Sequence, residues 1–136
     1  MAVPLPTSPQ TLGKTERLKH RKPIESLFSK GKSIKVTSFV LLFEKALEKN
    51  EHPIKMMFIV SKKNYKLAHD RNQIKRWMRE GYRTQKQEIL DVAASEGTNW
   101  NAGIMYTGKK LPNHDYVFNK IKELLKLWAL EIQSSE

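Results

Sequence analysis

The sequence predicts an α+β fold with a single four-stranded mixed sheet, a short N-terminal helix, a long basic helix and a C-terminal helix, in the order α-βββ-α-β-α. Three observations predict it. Stretches rich in β-branched and aromatic residues lie at 32–43, 54–61 and 100–108, and these are strand material. Between the last two, apolar residues recur at helical spacing, which makes the strands on either side parallel neighbours. A second helical repeat, from Val117 to Ile132, closes the chain.

Taken in order, residues 1–13 hold three prolines and little apolar periodicity, so they are expected to form a flexible tail ahead of one domain over 14–136. Lys14, Arg17, Lys19, Arg21 and Lys22 follow, either as a solvated run or as a contact to a polyanion. Pro23 suits the first position of a helix, Ile24, Leu27 and Phe28 share one face, and Gly31 stops it. Ile34, Val36 and Ser38 alternate as in a half-buried strand, while the run Phe39 to Phe43 reads as a strand covered on both faces. Polar Lys45 to Pro53 makes a connection, and Ile54 to Ser61 a further antiparallel strand. A three-strand meander, or two long strands with a bend, fits this region.

The central helix is expected from near His69 or Asp70 to about Ser95. At about 100° per residue, Ile74, Met78, Gly81, Gln85, Ile89 and Val92 gather on the side that packs on the sheet. Asn72, Arg76, Arg79 and Arg83 gather on another, flanked by Arg71, Lys75 and Lys86. Gly97 and Asn99 end the helix, Trp100 to Gly108 forms the last strand, and Lys109 to Pro112 a turn. Asn113 caps the final helix, whose apolar stripe is Val117, Phe118, Ile121, Leu124, Leu125, Trp128 and Ile132.

Lysine and arginine outnumber acids 25 to 14, for a net charge of +11. The stretch from Lys62 to Lys86 holds nine of those bases and only two acids, Asp70 and Glu80. Such concentration points to a polyanionic partner. Arg71, Lys75, Arg79 and Arg83 repeat a like-charge i, i+4 spacing that costs a free helix roughly a few tenths of a kcal/mol per pair, and a bound polyanion offsets that repulsion. Arginine forks grip phosphate in two places, and Asn72 among them reads a base or sugar edge or orients a neighbour. The candidate nucleic-acid contacts are therefore Lys62, Lys63, Arg71, Asn72, Lys75, Arg76, Arg79, Arg83 and Lys86. Phe28, Phe39 and Phe43 belong by default in a core; left at a sheet rim beside a basic helix, they would stack unpaired bases in a cleft for single-stranded RNA.

Other function classes fare worse. A membrane-surface helix wants tryptophan, leucine or phenylalanine opposite its charges, whereas Ile74, Met78 and Gly81 are needed to cover a sheet. His20, His52, His69 and His114 are scattered, without ligand spacing or a local carboxylate pair. A protein-only nuclease is disfavoured on that ground, and Gly108-Lys109-Lys110 lacks the glycine frame of a P-loop. Absence of cysteine removes disulfides, thiolate metal sites and cysteine nucleophiles, and fits a reducing compartment. No apolar run approaches the roughly 20 residues of a membrane span, so a cytoplasmic location is expected.

The segment Ser61-Lys62-Lys63, then Asp70-Arg71-Asn72-Gln73-Ile74-Lys75-Arg76, Arg79-Glu80 and Tyr82-Arg83, resembles the signature of the bacterial ribonuclease P protein component. Arg17 to Ser33 and Phe39 to Leu42 resemble that family's first helix and strands, and the likeness runs from about Leu12 to Ile132. The resemblance implies the small subunit of a ribonucleoprotein whose RNA, with magnesium, hydrolyses precursor tRNA and releases the 5′ leader. It implies that the protein is not the catalyst, that one copy joins one catalytic RNA, and that Arg71, Asn72, Lys75, Arg76, Arg79 and Arg83 contact that RNA. It also implies a leader cleft between the first helix and the sheet, with Arg17, Phe28 and Phe39 as matching positions, and a left-handed strand–helix–strand crossover against the usual rule. Ile24 stands where many members carry phenylalanine and Leu42 where many carry tyrosine, which shifts the expected stacking toward Phe43. A structural RNA-binding protein, such as a ribosomal or assembly factor, is the rival reading.

Overall fold

A computed structural model of the chain describes residues 16–46 and 52–134. The tail expected over 1–13 and most of the connection expected over 45–53 lie outside the described residues. The elements are α1 (Arg21–Lys30), β1 (Lys32–Val36), β2 (Phe39–Lys45), β3 (Ile54–Val60), α2 (Ala68–Gln85), α3 (Gln87–Glu96), β4 (Trp100–Tyr106) and α4 (His114–Ser134). They form one four-stranded mixed sheet with helices, an α+β arrangement as expected.

Strand order is β1-β2-β4-β3, with β3 and β4 parallel and the other two pairings antiparallel. The parallel pair around the helical crossover was expected and is found; the expected meander, with β3 as a further antiparallel strand, is not, because β4 enters between β2 and β3 and β3 pairs only in parallel with it among the named strands. Composition explains the insertion. Ala102 and Gly103 let both faces of β4 be covered, and every residue of it except Met105 is buried, the condition of a central strand. β3 takes the edge and carries Lys55.

The chosen face of the sheet is built by strict alternation. Phe39, Leu41 and Phe43 of β2, Ile54, Met56, Phe58 and Val60 of β3, and Ala102, Ile104 and Tyr106 of β4 join a core with Ile74, Met78 and Tyr82 of α2, Ile89 and Ala93 of α3, and the α4 stripe. The run Phe39 to Phe43 is thus buried on one face and half-covered on the other, rather than covered on both. α4 begins as expected: the Tyr116 backbone N–H donates to Asn113 Oδ1 at 2.8 Å, and Val117, Ile121, Leu124, Leu125, Trp128 and Ile132 are buried.

The central helix is broken at Lys86 into α2 and α3. Two side chains explain the break. Thr84 Oγ1 donates to the Glu80 carbonyl at 2.8 Å, and Gln85 Nε2 to the Gly81 carbonyl at 2.9 Å and the Phe118 carbonyl at 3.2 Å, so side chains compete for the ladder's acceptors. The second acceptor also ties the bend to α4. At Gly81 an added Cβ would sit 3.4 Å from Ile121 Cδ1, an ordinary packing distance, so α2 meets α4 here through Ile121.

α1 lies on the other face. It starts at Arg21, two residues before Pro23, whose missing N–H is harmless in a first turn. Leu27 is fully buried, and its Cδ2 would stand 3.6 Å from a Cβ placed on Gly103, so α1 rests on the centre of the sheet. Ser26 Oγ donates to Glu44 Oε2 at 2.9 Å and fixes the helix against β2.

Candidate nucleic-acid interface

α2 is fastened through Ile74, Met78, Gly81 and Tyr82, and this places its other side outward. Asn72 and Arg76 are exposed, and Lys75, Arg79 and Arg83 are half-exposed. Tyr82 in the buried stripe escaped the sequence reading, although it lies four residues after Met78. Glu80 sits among the bases, with Oε2 3.5 Å from Arg76 Nε; at such exposure the pair contributes little to stability but sets the resting position of Arg76.

The loop that launches α2 is held rigidly. Tyr65 is buried, and its hydroxyl donates to the Lys110 carbonyl at 2.5 Å, as does the Tyr106 hydroxyl at 2.7 Å. Burial raises the Tyr65 pKa and raises that of Tyr106 further, the Tyr65 contact adding to the latter, so both stay donors. Asn64 Nδ2 donates to the Thr107 carbonyl at 3.4 Å, and Arg71 Nη1 to the carbonyls of Tyr65 and Lys66 at 2.8 and 3.0 Å. Lys62, Lys63 and Lys66 are left exposed, and the turn held beneath Tyr65 exposes Lys109 and Lys110 beside them. Those two lysines were read only as a turn. Their sequence neighbourhood carried no periodic signal, and only the tyrosine contacts bring them to the basic loop.

Lys86 is a correction. It is only 3% exposed, and its Nζ lies 2.7 Å from Glu16 Oε1, so it is spent inside the fold and does not continue the basic arc. The bend at this residue takes it out of the phase that an unbroken helix would have given.

The cleft aromatics need correcting too. Phe39 is 0% and Phe43 3% exposed, and both point to the helix-covered face. Phe39 packs on Tyr106 at 4.8 Å between ring centroids, and Phe43 on Trp128 at 5.7 Å. Phe39, fully buried, lines no open cleft, and Phe43 shows only an edge in a pocket with Lys30, Lys32, Lys45 and Trp100, at the end of the sheet away from Lys62 and Lys63. Phe28 on α1 is 50% exposed, and Arg17 is exposed where its backbone bridges to Met56 at the free edge of β3. The open face beside α1 instead offers half-buried Val40, Leu42, Met57, Ile59 and Met105. Val40 pairs with Met105 and Met105 with Ile59, a continuous apolar row that ends where β3 runs into Ser61, Lys62 and Lys63. Period-two alternation within Phe39 to Phe43 carried this signal. Among the described residues no three His, Asp or Glu side chains converge as metal ligands, and no helix is long and apolar enough to cross a membrane.

The surface therefore joins an apolar sheet face, flanked by one exposed phenylalanine, to a basic loop and an arginine-rich helix. Such a surface suits a polyanion with exposed bases. Comparison with known proteins agrees. The ribonuclease P family model matches residues 12–128. The chain is 32% identical over 125 residues to a ribonuclease P protein component of Chlorobium phaeobacteroides, covering 85% of this chain and 86% of that protein. It is 30% identical over 131 residues to that of Porphyromonas gingivalis, covering 95% and 96%. The solved ribonuclease P protein of Thermotoga maritima superposes with a TM-score of 0.65 at 27% identity, over 82% of this chain and 96% of that one. With the matched segment spanning both the basic loop and the helix that carries Arg71, Asn72, Lys75 and Arg76, the chain belongs to the ribonuclease P protein component family.

Proposed function

We propose that this protein binds the catalytic RNA of ribonuclease P and the 5′ leader of precursor tRNA, and supports removal of the leader by that RNA. The observation that carries the reading is the outward arc of α2, where Asn72, Arg76, Arg79 and Arg83 are presented by a helix whose opposite side is locked into the core. Lys62, Lys63, Lys75 and the outer edge of Arg71 extend the same surface. A guanidinium row of this kind neutralises phosphates and releases counterions without reading sequence. The open sheet face, with Phe28 and the row Val40, Met105 and Ile59, takes the unpaired leader, and Arg17 adds a charge at its edge.

Hydrolysis belongs to the RNA and its magnesium when the complex is assembled. This chain's residues bind, orient and screen charge. One protein per catalytic RNA, acting in the cytoplasm, completes the reading, with residues 14–136 as one RNA-binding unit. Reconstitution tests it: at low magnesium, adding the protein to ribonuclease P RNA restores leader removal from precursor tRNA. RNA binding without any gain in cleavage would overturn the reading and leave a structural RNA-binding role.

A further inference from the structure

The buried pair Glu16–Lys86 has no part in the contacts proposed above. Glu16 Oε1 lies 2.7 Å from Lys86 Nζ, with both side chains more than nine-tenths buried. The two residues are 70 apart in sequence. Glu16 belongs to the segment that precedes α1, and Lys86 is the residue at which α2 gives way to α3.

That segment is docked at neighbouring points. The Leu18 backbone N–H donates to the Met56 carbonyl at 3.0 Å, and Arg17 bridges to Met56 in parallel, so the segment lies along the free edge of β3. Glu16 and Leu18 are buried while Arg17 between them is exposed. α1 starts only three residues after Leu18, so the docking also sets where α1 begins its path over the sheet. At the other end, Lys86 follows Arg83, the last arginine of the basic arc, by three residues.

A buried ion pair is weak evidence for stability, because desolvation consumes most of its Coulomb gain and an apolar pair of the same volume does as well. What it supplies better than an apolar pair is registry, because a buried charge moved away from its partner is left uncompensated. We propose that Glu16 and Lys86 are positioning residues that lock the pre-α1 segment to the end of the basic helix, and so fix Arg17 and α1 relative to the α2 arc for simultaneous contact with leader and catalytic RNA. The proposal rests on the reading that the leader lies on the α1 side of the sheet and the catalytic RNA on α2.

The test uses the full chain assembled with ribonuclease P RNA, and measures affinity for precursor tRNA with and without its leader, well below the melting temperature. Glu16→Gln keeps a hydrogen-bonding side chain but removes the charge; Lys86→Met keeps the length and removes the charge. Either variant is expected to reduce the preference for leader-bearing RNA by about tenfold, the size of a coupling between residues sharing one network, while protein affinity for the catalytic RNA alone stays within about twofold. A cycle with Arg17→Ala separates positioning from general loosening. If the pair acts through Arg17, adding Glu16→Gln to Arg17→Ala costs the leader preference nothing further; a merely structural pair gives additive losses. Should Lys86→Met fail to fold, the Glu16→Gln cycle decides alone. Unchanged leader preference in folded Glu16→Gln, or additive losses, would overturn the proposal. Wild-type protein without any leader preference would instead overturn the underlying reading, a result visible before any variant is made.

Discussion

Arg71 Nη1 donates to the carbonyl oxygen of Tyr65 at 2.8 Å, so an arginine of the basic motif spends its guanidinium on the loop before its own helix. The same nitrogen reaches the Lys66 carbonyl at 3.0 Å, and α2 has no side-chain cap at Leu67. Arg71 thus ties the carbonyls of the loop to the first turn of α2, and only its outer edge remains for RNA.

Arg71→Ala is expected to lower the unfolding free energy by about 1 kcal/mol, the net worth of such hydrogen bonds, and to speed amide exchange across 61–67. Arg71→Lys should restore protection only in part, because both bonds come from Nη1 at the far end of the arginine and a lysine ammonium sits nearer its own backbone. Hydrogen exchange checks this. Unchanged exchange in the alanine variant would show that Tyr65 and Lys110 hold the loop by themselves.

Arg76 and Arg79 make the opposite case. Arg76 is exposed and pairs with Glu80 at 3.5 Å, and neither Arg76 nor Arg79 belongs to the buried stripe of Ile74 and Met78. Changing both to alanine is expected to leave the melting temperature nearly unchanged and to reduce the salt slope of RNA binding by about two, one per lost phosphate contact. Titrations at several salt concentrations give the slope. A large drop in melting temperature would mean that these side chains carry structure.

Phe28 and Phe39 divide function from stability. Phe39 is fully buried against Tyr106, so Phe39→Ala is expected to cost about 3–5 kcal/mol through lost transfer energy and the cavity left behind. Phe28 is half-exposed on α1, and Phe28→Ala should barely alter the melt while weakening leader binding by about 1–3 kcal/mol, the range for one stacked base. Denaturation paired with binding to leader-bearing RNA separates the two. Equal destabilisation would place Phe28 in the packed interior.

How far the chain could be read in advance follows from these residues. Helical phase put Ile74, Met78 and Gly81 inward and Arg76 and Arg79 outward because the 3.6-residue period is local. Asn113 was recognisable as a cap for the same reason. Strand order was not legible, since the entry of β4 beside β2 depends on long-range packing around Ala102 and Gly103. Lys86 left its expected arc because Thr84 and Gln85 bend the helix just before it, and Glu16, far away in sequence, supplies the charge that keeps it buried. Phe39 and Phe43 are assigned to the cleft by their aromatic character beside a basic helix and, for Phe39, by the resemblance, neither of which says which face of the sheet a side chain takes. Strict alternation sends them inward and leaves Val40 and Leu42 on the open side.

Tyr82 offers a test in which the sign of a pH effect matters. Its ring is buried, its hydroxyl has no hydrogen-bond partner among the described residues, and burial, with the Glu16 carboxylate adding, raises its pKa well above the ordinary value. Tyr65 and Tyr106 are raised too, chiefly by burial. A tyrosine whose folded pKa exceeds its unfolded pKa ionises first in the unfolded chain. The folded state therefore keeps its full advantage below about pH 10, the unfolded value, and loses it as pH rises from there through the folded pKa. Chemical denaturation at a series of alkaline pH values should show that fall. Tyr82→Phe should make it shallower, by up to about 1.4 kcal/mol per pH unit for the one proton removed from the linkage. At neutral pH the same substitution removes a buried hydroxyl without a partner and should be neutral or stabilising by about 1 kcal/mol. A marked loss of stability at neutral pH would show instead that the Tyr82 hydroxyl has a partner in solution.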